Sequence, residues 1–189
     1  MVDPDFILPG GLRFLHFICV RDAGCLSDTD LLHLFGLANY QPTQSPRRHG
    51  CYVLLAGDGE WKIVADDYFY TLCNMSSTRQ AIHQLGQTFD VFAAWVGDAD
   101  YSFDFVYYRD GRVERRYVVD DPSWGGGGAV EVENTGDPLP GEEAAFRETD
   151  DLRIAFALAA SLGIRTSYTA QEIRAYVPPG SPRGEQNPS

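Results

Sequence analysis

The dipeptide Asp110-Gly111 stands between two runs rich in β-branched and aromatic residues, within the stretch Phe89 to Asp121. Both of its residues tolerate the positive φ that a two-residue type I′ turn demands, so the pair predicts a tight antiparallel hairpin. Tyr108 is then expected opposite Val113. Counting outward from that pair places Tyr107 opposite Glu114, Val106 opposite Arg115, Phe105 opposite Arg116, Asp104 opposite Tyr117 and Phe103 opposite Val118. The two-residue period puts Tyr101, Phe103, Phe105 and Tyr107 on one side of the sheet and Ser102, Asp104, Val106 and Tyr108 on the other. Both sides carry bulk. A hairpin with one solvated side should be polar there, so helices or a partner are expected over part of each side.

The run Phe89 to Val96 is almost wholly apolar and reads as a central strand, joined to the hairpin through Gly97-Asp98-Ala99-Asp100. Upstream, Leu12 to Val20 reads as a first buried strand. Ser27 and Asp30 bracket a helix start of the capping-box kind, with Asp in place of the usual Glu, and Leu31, Leu34, Phe35 and Ala38 supply its inner stripe to an end near Asn39. A Pro-punctuated loop, Gln41 to Gly50, holds Arg47-Arg48-His49. Cys51 to Ala56 and Trp61 to Ala65 form a second hairpin, and Tyr68 to Cys73 is expected to add a short strand. Ser76 or Ser77 caps a helix whose inner residues are Ala81, Ile82 and Leu85.

After the central hairpin, Pro122-Ser123-Trp124 and Gly125 to Gly128 read as a loop, and Ala129 to Glu133 as an edge strand in which Glu131 and Glu133 alternate with Val130 and Val132. Thr149 is expected to cap a third, deeply buried helix with Asp150 and Asp151 in its first turn, Leu152, Ala155, Phe156, Ala159 and Leu162 inside, and Gly163 as its stop. Thr169 and Glu172 form a full capping box that predicts a short last helix, with Tyr168 and Ile173 as its hydrophobic staple. The expected fold is α+β: a single domain over 1–177, mainly an antiparallel twisted sheet of about six strands with three to four helices packed on it. Residues 178–189, rich in Pro and Gly, read as a disordered tail.

Composition bounds the function. A chain of 189 residues with 44% hydrophobic content can bury a sizeable core without staples. Its formal charge of −12 argues against direct binding to nucleic acid, which draws its affinity from clustered Lys and Arg. The start of the chain lacks a basic, apolar leader, and no run is long enough to cross a bilayer, so a cytoplasmic protein without membrane contact is expected. Cys19, Cys25, Cys51 and Cys73 show no paired spacing, and three of them sit in apolar runs, as reduced core cysteines do.

The candidate chemistry thins under inspection. Asp98, Asp100, Ser102 and Asp104 look like the first half of a calcium loop. Position six is Phe103 instead of Gly, however, and position twelve is Arg109 instead of a bidentate Glu, so no metal is expected. His49 and Cys51 offer two zinc ligands without a second pair. The glycines after Trp124 are followed by no Lys-Ser/Thr and make no phosphate cradle. Paired carboxylates at Asp66-Asp67, Asp120-Asp121, Glu142-Glu143 and Asp150-Asp151 fall at strand ends, loops or a helix start, where solvation is the expectation. Neither a catalytic residue nor a cofactor is assigned. What stands out is acids set among aromatics at strand ends: Asp66, Asp67, Tyr68, Tyr70, Asp98, Asp100, Tyr101, Asp104 and Trp124. Tyr and Trp anchor protein interfaces, and charge selects partners, so these nine residues are the candidate partner-binding set.

A strand and helix at the start, a Trp-containing hairpin at Trp61-Lys62-Ile63-Val64 and an aromatic hairpin after it give a layout that resembles immunity proteins of bacterial polymorphic toxin systems. The resemblance spans most of Leu12 to Gly163 and lies in architecture and acidity. It implies a small cytoplasmic α+β protein without catalytic residues, whose partner is a cognate toxin domain, such as a nuclease with a basic surface. It transfers no binding residue position by position. Two other readings stay open: a small cytoplasmic hydrolase built on Cys25, Cys51 or Asp104, and a scaffold subunit that associates through the Glu131 to Glu133 edge.

Overall fold

A computed structural model describes residues 16–21, 23–43, 53–57, 60–66, 72, 76–97, 102–122, 128–148, 150–166, 168 and 172–180. In chain order the elements are β1 (His16–Arg21), α1 (Asp28–Leu34), β2 (Gln41–Thr43), β3 (Val53–Gly57), β4 (Trp61–Asp66), α2 (Ser76–Gly86), β5 (Val91–Val96), β6 (Phe103–Arg109), β7 (Arg112–Asp120), β8 (Val130–Gly136), α3 (Glu142–Ala145), α4 (Asp151–Ser161) and β9 (Arg174–Val177). The strands join in one sheet of order β2-β9-β3-β4-β1-β5-β6-β7-β8, with antiparallel pairing throughout. The α+β class is as expected. Among the described residues the sheet is wider than the expected six or so strands: seven of its strands fall on runs read as strands, and two segments read otherwise, Gln41–Thr43 and Arg174–Val177, pair with each other and extend it.

Helices cover the sheet on both sides, which explains the bulk on both sides of β6. On one side Phe17, Cys19, Phe92, Ala94, Phe103 and Phe105 pack against Leu152, Ala155, Phe156 and Ala159 of α4. The rings of Phe17 and Phe156 stack at 5.4 Å. On the other side Ile18, Val20, Val64, Val91, Ala93 and Val106 meet Leu31, Leu32 and Phe35 from α1 and its cap, and Ala81, Ile82 and Leu85 from α2. α2 sits so close that a Cβ on Gly86 would lie 2.4 Å from the Tyr108 ring.

The local signals behave as physical chemistry requires, with exceptions at several ends. Ser27 Oγ accepts from Asp30 N at 3.1 Å and Asp30 Oδ2 accepts from Ser27 N at 2.8 Å, so the shorter Asp completes the box. α1 then stops at Leu34, short of Asn39, because Gly36 takes a left-handed φ of 76°. Leu32 and Leu37 are buried in place of Leu34 and Ala38. Asp150, not Thr149, caps α4, accepting from Leu152 N at 3.0 Å and Arg153 N at 3.3 Å. The predicted last helix is replaced by β9. Ala175, Tyr176 and Val177 suit a pleated strand, and the open edge of β3 supplies ladder partners that a short isolated helix lacks. The proposed strand Tyr68 to Cys73 falls, apart from Leu72, outside the described residues, as do the loop cluster Arg47-Arg48-His49 and the chain beyond Gly180.

The central turn forms as predicted, with φ of 51° at Asp110 and 78° at Gly111, and Tyr108 faces Val113. The register then slips by one. A bulge between Tyr107 and Tyr108 leaves Glu114 as the extra residue, so Tyr107 faces Arg115, Val106 faces Arg116, Phe105 faces Tyr117, Asp104 faces Val118 and Phe103 faces Val119. A slip of one residue moves every later side chain of β7 to the opposite side. Here it brings Tyr117 under α4, stacked on Phe105 at 5.9 Å, and sends Arg116 to the α2 side. Without the bulge Arg116 would face the Phe105 core.

Candidate functional site

The topology gathers the segments that carry the candidate set. Antiparallel pairing puts the end of β4, the end of β5, the start of β6, the end of β7 and the start of β8 at one end of the sheet. The chain segments 67–73, 97–102 and 121–129 therefore attach to that end. With the strand ends they join, they contain Asp66, Asp67, Asp98, Asp100, Asp104, Asp120 and Asp121, together with Tyr68, Tyr70, Tyr101 and Trp124, and they hold no Lys or Arg. Asp67, Tyr68, Tyr70, Asp98, Asp100, Tyr101 and Trp124 themselves lie outside the described residues, and of Asp66 only the backbone is described.

At the opposite end of the sheet, described arginines stand beside described acids. Arg21 Nη2 lies 2.7 Å from Glu60 and its Nη1 3.5 Å from Asp90, and Arg109 lies 3.2 Å from Glu114. These arginines neutralise the acids beside them.

Asp104 is the one member of the candidate set whose side chain is described. It belongs to a cross-strand row on the α2 side, running His16, Trp95, Asp104, Val118 and Glu133. Arg116, from the next row, reaches back to bridge two of its acids: its Nη2 lies 3.6 Å from Asp104 Oδ2, and its Nε donates to Glu133 Oε2 at 2.7 Å. Asp104 Oδ1 is buried and receives no hydrogen bond from the described residues. Burial pushes the Asp104 carboxyl above the usual aspartate value, while Arg116 and Arg79 pull against that rise. Burial opposes the charge on Arg116, yet the hydrogen bond to Glu133 and the field of Asp104 leave its pKa raised.

Two groups expected in solvent are not there. Glu142, expected to be solvated, is buried and holds Arg115 in a bidentate pair, Nη2 to Oε1 at 2.6 Å and Nε to Oε2 at 3.0 Å. Leu139 N donates to the same carboxylate at 2.9 Å, and Arg115 Nη1 donates to Asn134 Oδ1 at 2.6 Å and Thr135 O at 3.0 Å. Asp121 is buried as well. The signal for the Arg115 pair lay in the bulge, which no sequence pattern announced.

A second polar cluster ties β9 to α1. Arg174 Nη2 donates to Asp28 Oδ1 at 3.0 Å and Tyr176 OH to Asp28 Oδ2 at 2.7 Å. Burial disfavours the Asp28 charge, but the hydrogen bonds from Arg174 and Tyr176 win and its pKa is lowered. Tyr176, half-buried and donating to that carboxylate, is pushed up to about 12.

Of the cysteines, Cys19 is buried and its thiol is driven up by burial, the opposite of what a nucleophile needs. Cys25 is exposed, and Cys51 and Cys73 fall outside the described residues. Among the described residues no group of three or more His, Cys, Asp or Glu is placed to hold a metal ion. None of the described helices is long and apolar enough to cross a membrane.

No family model, curated protein or solved structure matches the chain. The fold and the sheet end thus define a class by geometry alone: an α+β protein with one antiparallel sheet, helices on both sides, and chain segments rich in Asp, Tyr and Trp joined to a single sheet end.

Proposed function

We propose that the chain is an immunity protein, which binds a cognate bacterial toxin domain and occludes its active site or substrate-binding surface without catalysing a reaction. One observation carries the reading: three chain segments rich in Asp, Tyr and Trp and free of Lys and Arg attach to the same end of the sheet. A sheet held on both sides by helices is a rigid support, and rigid support lowers the ordering cost of an interface. Aromatic anchors supply contact area, and the acids steer a basic surface into place and reject acidic competitors. A nuclease toxin has such a surface, because its substrate requires one.

The test is co-expression with the toxin domain encoded next to this chain. Restored growth and a complex stable through gel filtration are the expected results; continued killing with no complex defeats the proposal. Reversing Asp98 and Asp100 together to Lys should slow association by about tenfold at low salt, with the difference shrinking as salt rises. Stopped-flow association rates at two ionic strengths check it.

A further inference from the structure

β8 ends the sheet, and among the described residues no strand pairs with its outer edge. An edge of this kind presents a row of backbone donors and acceptors able to pair with another strand, and proteins commonly blunt it with charged side chains, Pro, a bulge or a very short strand. β8 has seven residues, VEVENTG, with no Lys or Pro; its guards are the negative charges of Glu131 and Glu133 and a bulge at Val132, where the pairing with β7 shifts. It also concentrates exposed apolar surface. Val130 is 54% exposed and Val132 60% exposed, and the exposed Phe146 lies 5.0 Å from Tyr117, which faces Asn134 of β8.

The charges along this edge decide what can add to it. Glu131, Glu133, Asp120 and Asp137 line the strand and its approaches; Arg116 pairs with Glu133, and Arg115, itself paired with Glu142, donates to Asn134 and Thr135. A second copy adding antiparallel would set acids of one chain against acids of the other, and the charge of −12 on each chain adds further repulsion. A strand carrying Lys or Arg meets the same edge with complementary charge, one base toward Glu131 on the α4 side and another toward Glu133 on the α2 side.

We propose that the outer edge of β8 is a strand-addition site for an extended, basic segment of a partner protein. This deepens the proposed function and rests on it for the identity of the partner, the toxin domain. Main-chain hydrogen bonds supply the affinity, and Glu131 with its neighbouring acids supplies the choice of partner.

The probe is an eight-residue peptide of Lys, Val and Thr with Lys on both sides of the strand, labelled for fluorescence anisotropy and titrated with the full chain. A second peptide of the same sequence, N-methylated on alternate backbone nitrogens, keeps the charge and loses the ladder. The plain peptide is expected to bind about tenfold more tightly than the methylated one, and Val132→Lys to weaken it by a similar factor. Gln41→Lys, on the opposite edge strand, should leave binding unchanged. Absence of binding by the plain peptide, equal binding of the two peptides, or unaltered binding by Val132→Lys overturns the inference. So does a dimer in sedimentation equilibrium that Val132→Lys dissolves, since the edge would then belong to a second copy. The comparison of peptides on the unaltered chain needs no variant to fold. The two proposals fail separately: absence of a toxin complex defeats the proposed function and leaves the peptide result standing. A complex that keeps its full affinity in Val132→Lys, with no peptide binding, defeats this inference alone.

Discussion

Arg115 and Arg116 are adjacent in the chain and live in different environments. Arg115 lies on the α4 side of β7, its side chain 3% exposed, with Glu142 gripping it through two hydrogen bonds and its Cζ 5.6 Å from the Tyr117 ring and 5.9 Å from the Phe105 ring. Arg116 lies on the α2 side, 32% exposed, shared between Asp104 and Glu133. The first ion pair fastens α3 to the sheet, where water cannot substitute for a missing partner. The second is partly open to water, although Asp104 Oδ1 is buried, so losing one partner costs less there. One bulge separates an architectural arginine from an adjustable one.

Removing Glu142 tests the first half of this contrast and carries the largest effect. Glu142→Ala leaves a guanidinium buried without its counter-charge, and the expected loss is about 3–5 kcal/mol. Replacing both partners with Met should cost less than Glu142→Ala alone, because no unpaired charge remains inside. Urea denaturation of the single and double variants measures both; a double variant less stable than the single would show that the pair contributes more than its own desolvation.

The next effect is steric. Gly136 holds a φ of 84°, and a Cβ there would lie 1.9 Å from Glu114 O, the carbonyl of the bulged residue. Gly136→Ala must therefore move β8 away from the bulge, and the left-handed backbone adds roughly 1–3 kcal/mol of its own. The loss should appear as a lower thermal midpoint together with weaker hydrogen-exchange protection confined to β7 and β8. A change spread evenly over β1 to β6 would argue that the bulge is not the point of failure.

These residues also mark how far the sequence could be read. Alternation and turn chemistry are local, so the Asp110-Gly111 hairpin, the second hairpin, the central strand and the α2 and α4 stripes were legible. The slip between Tyr107 and Tyr108 was not, because it is decided by which side chain fills the space under α4, where Tyr117 outcompetes Arg116. β9 was illegible for a related reason: Thr169 and Glu172 satisfy a local helix rule, while the unpaired edge of β3 is a tertiary fact. The candidate set shows the same division. Its residue types stood out in the chain, but that the strands flanking them end together follows from the pairing of the sheet. Glu142 and Glu143 read alike as an exposed pair, and the fold buries the first and exposes the second.

The smallest effect belongs to Asp104, and its sign is informative. Burial raises the carboxyl above the ordinary 3.8, so the folded chain holds this proton more firmly than the unfolded chain does. Stability from this group is therefore full below the unfolded value and declines as pH rises through the raised folded value. Asp104→Asn removes that titration, and the variant should gain stability relative to the parent as pH climbs from 3 to 7. The raised folded value already includes the pull of Arg116, a partly exposed pair worth about 0.2–1 kcal/mol, so the gain is what remains once that contact is lost. Arg116→Gln should act in reverse, leaving Asp104 without its cation and steepening the decline with pH. Stability measured by urea at pH 3, 5 and 7 for the three proteins separates these outcomes. A flat difference between parent and Asp104→Asn would mean that water and Arg116 already solvate the carboxylate fully. A difference that widens with pH would mark a carboxylate held in the folded chain at a cost, as expected of an acid that a basic partner relieves on binding.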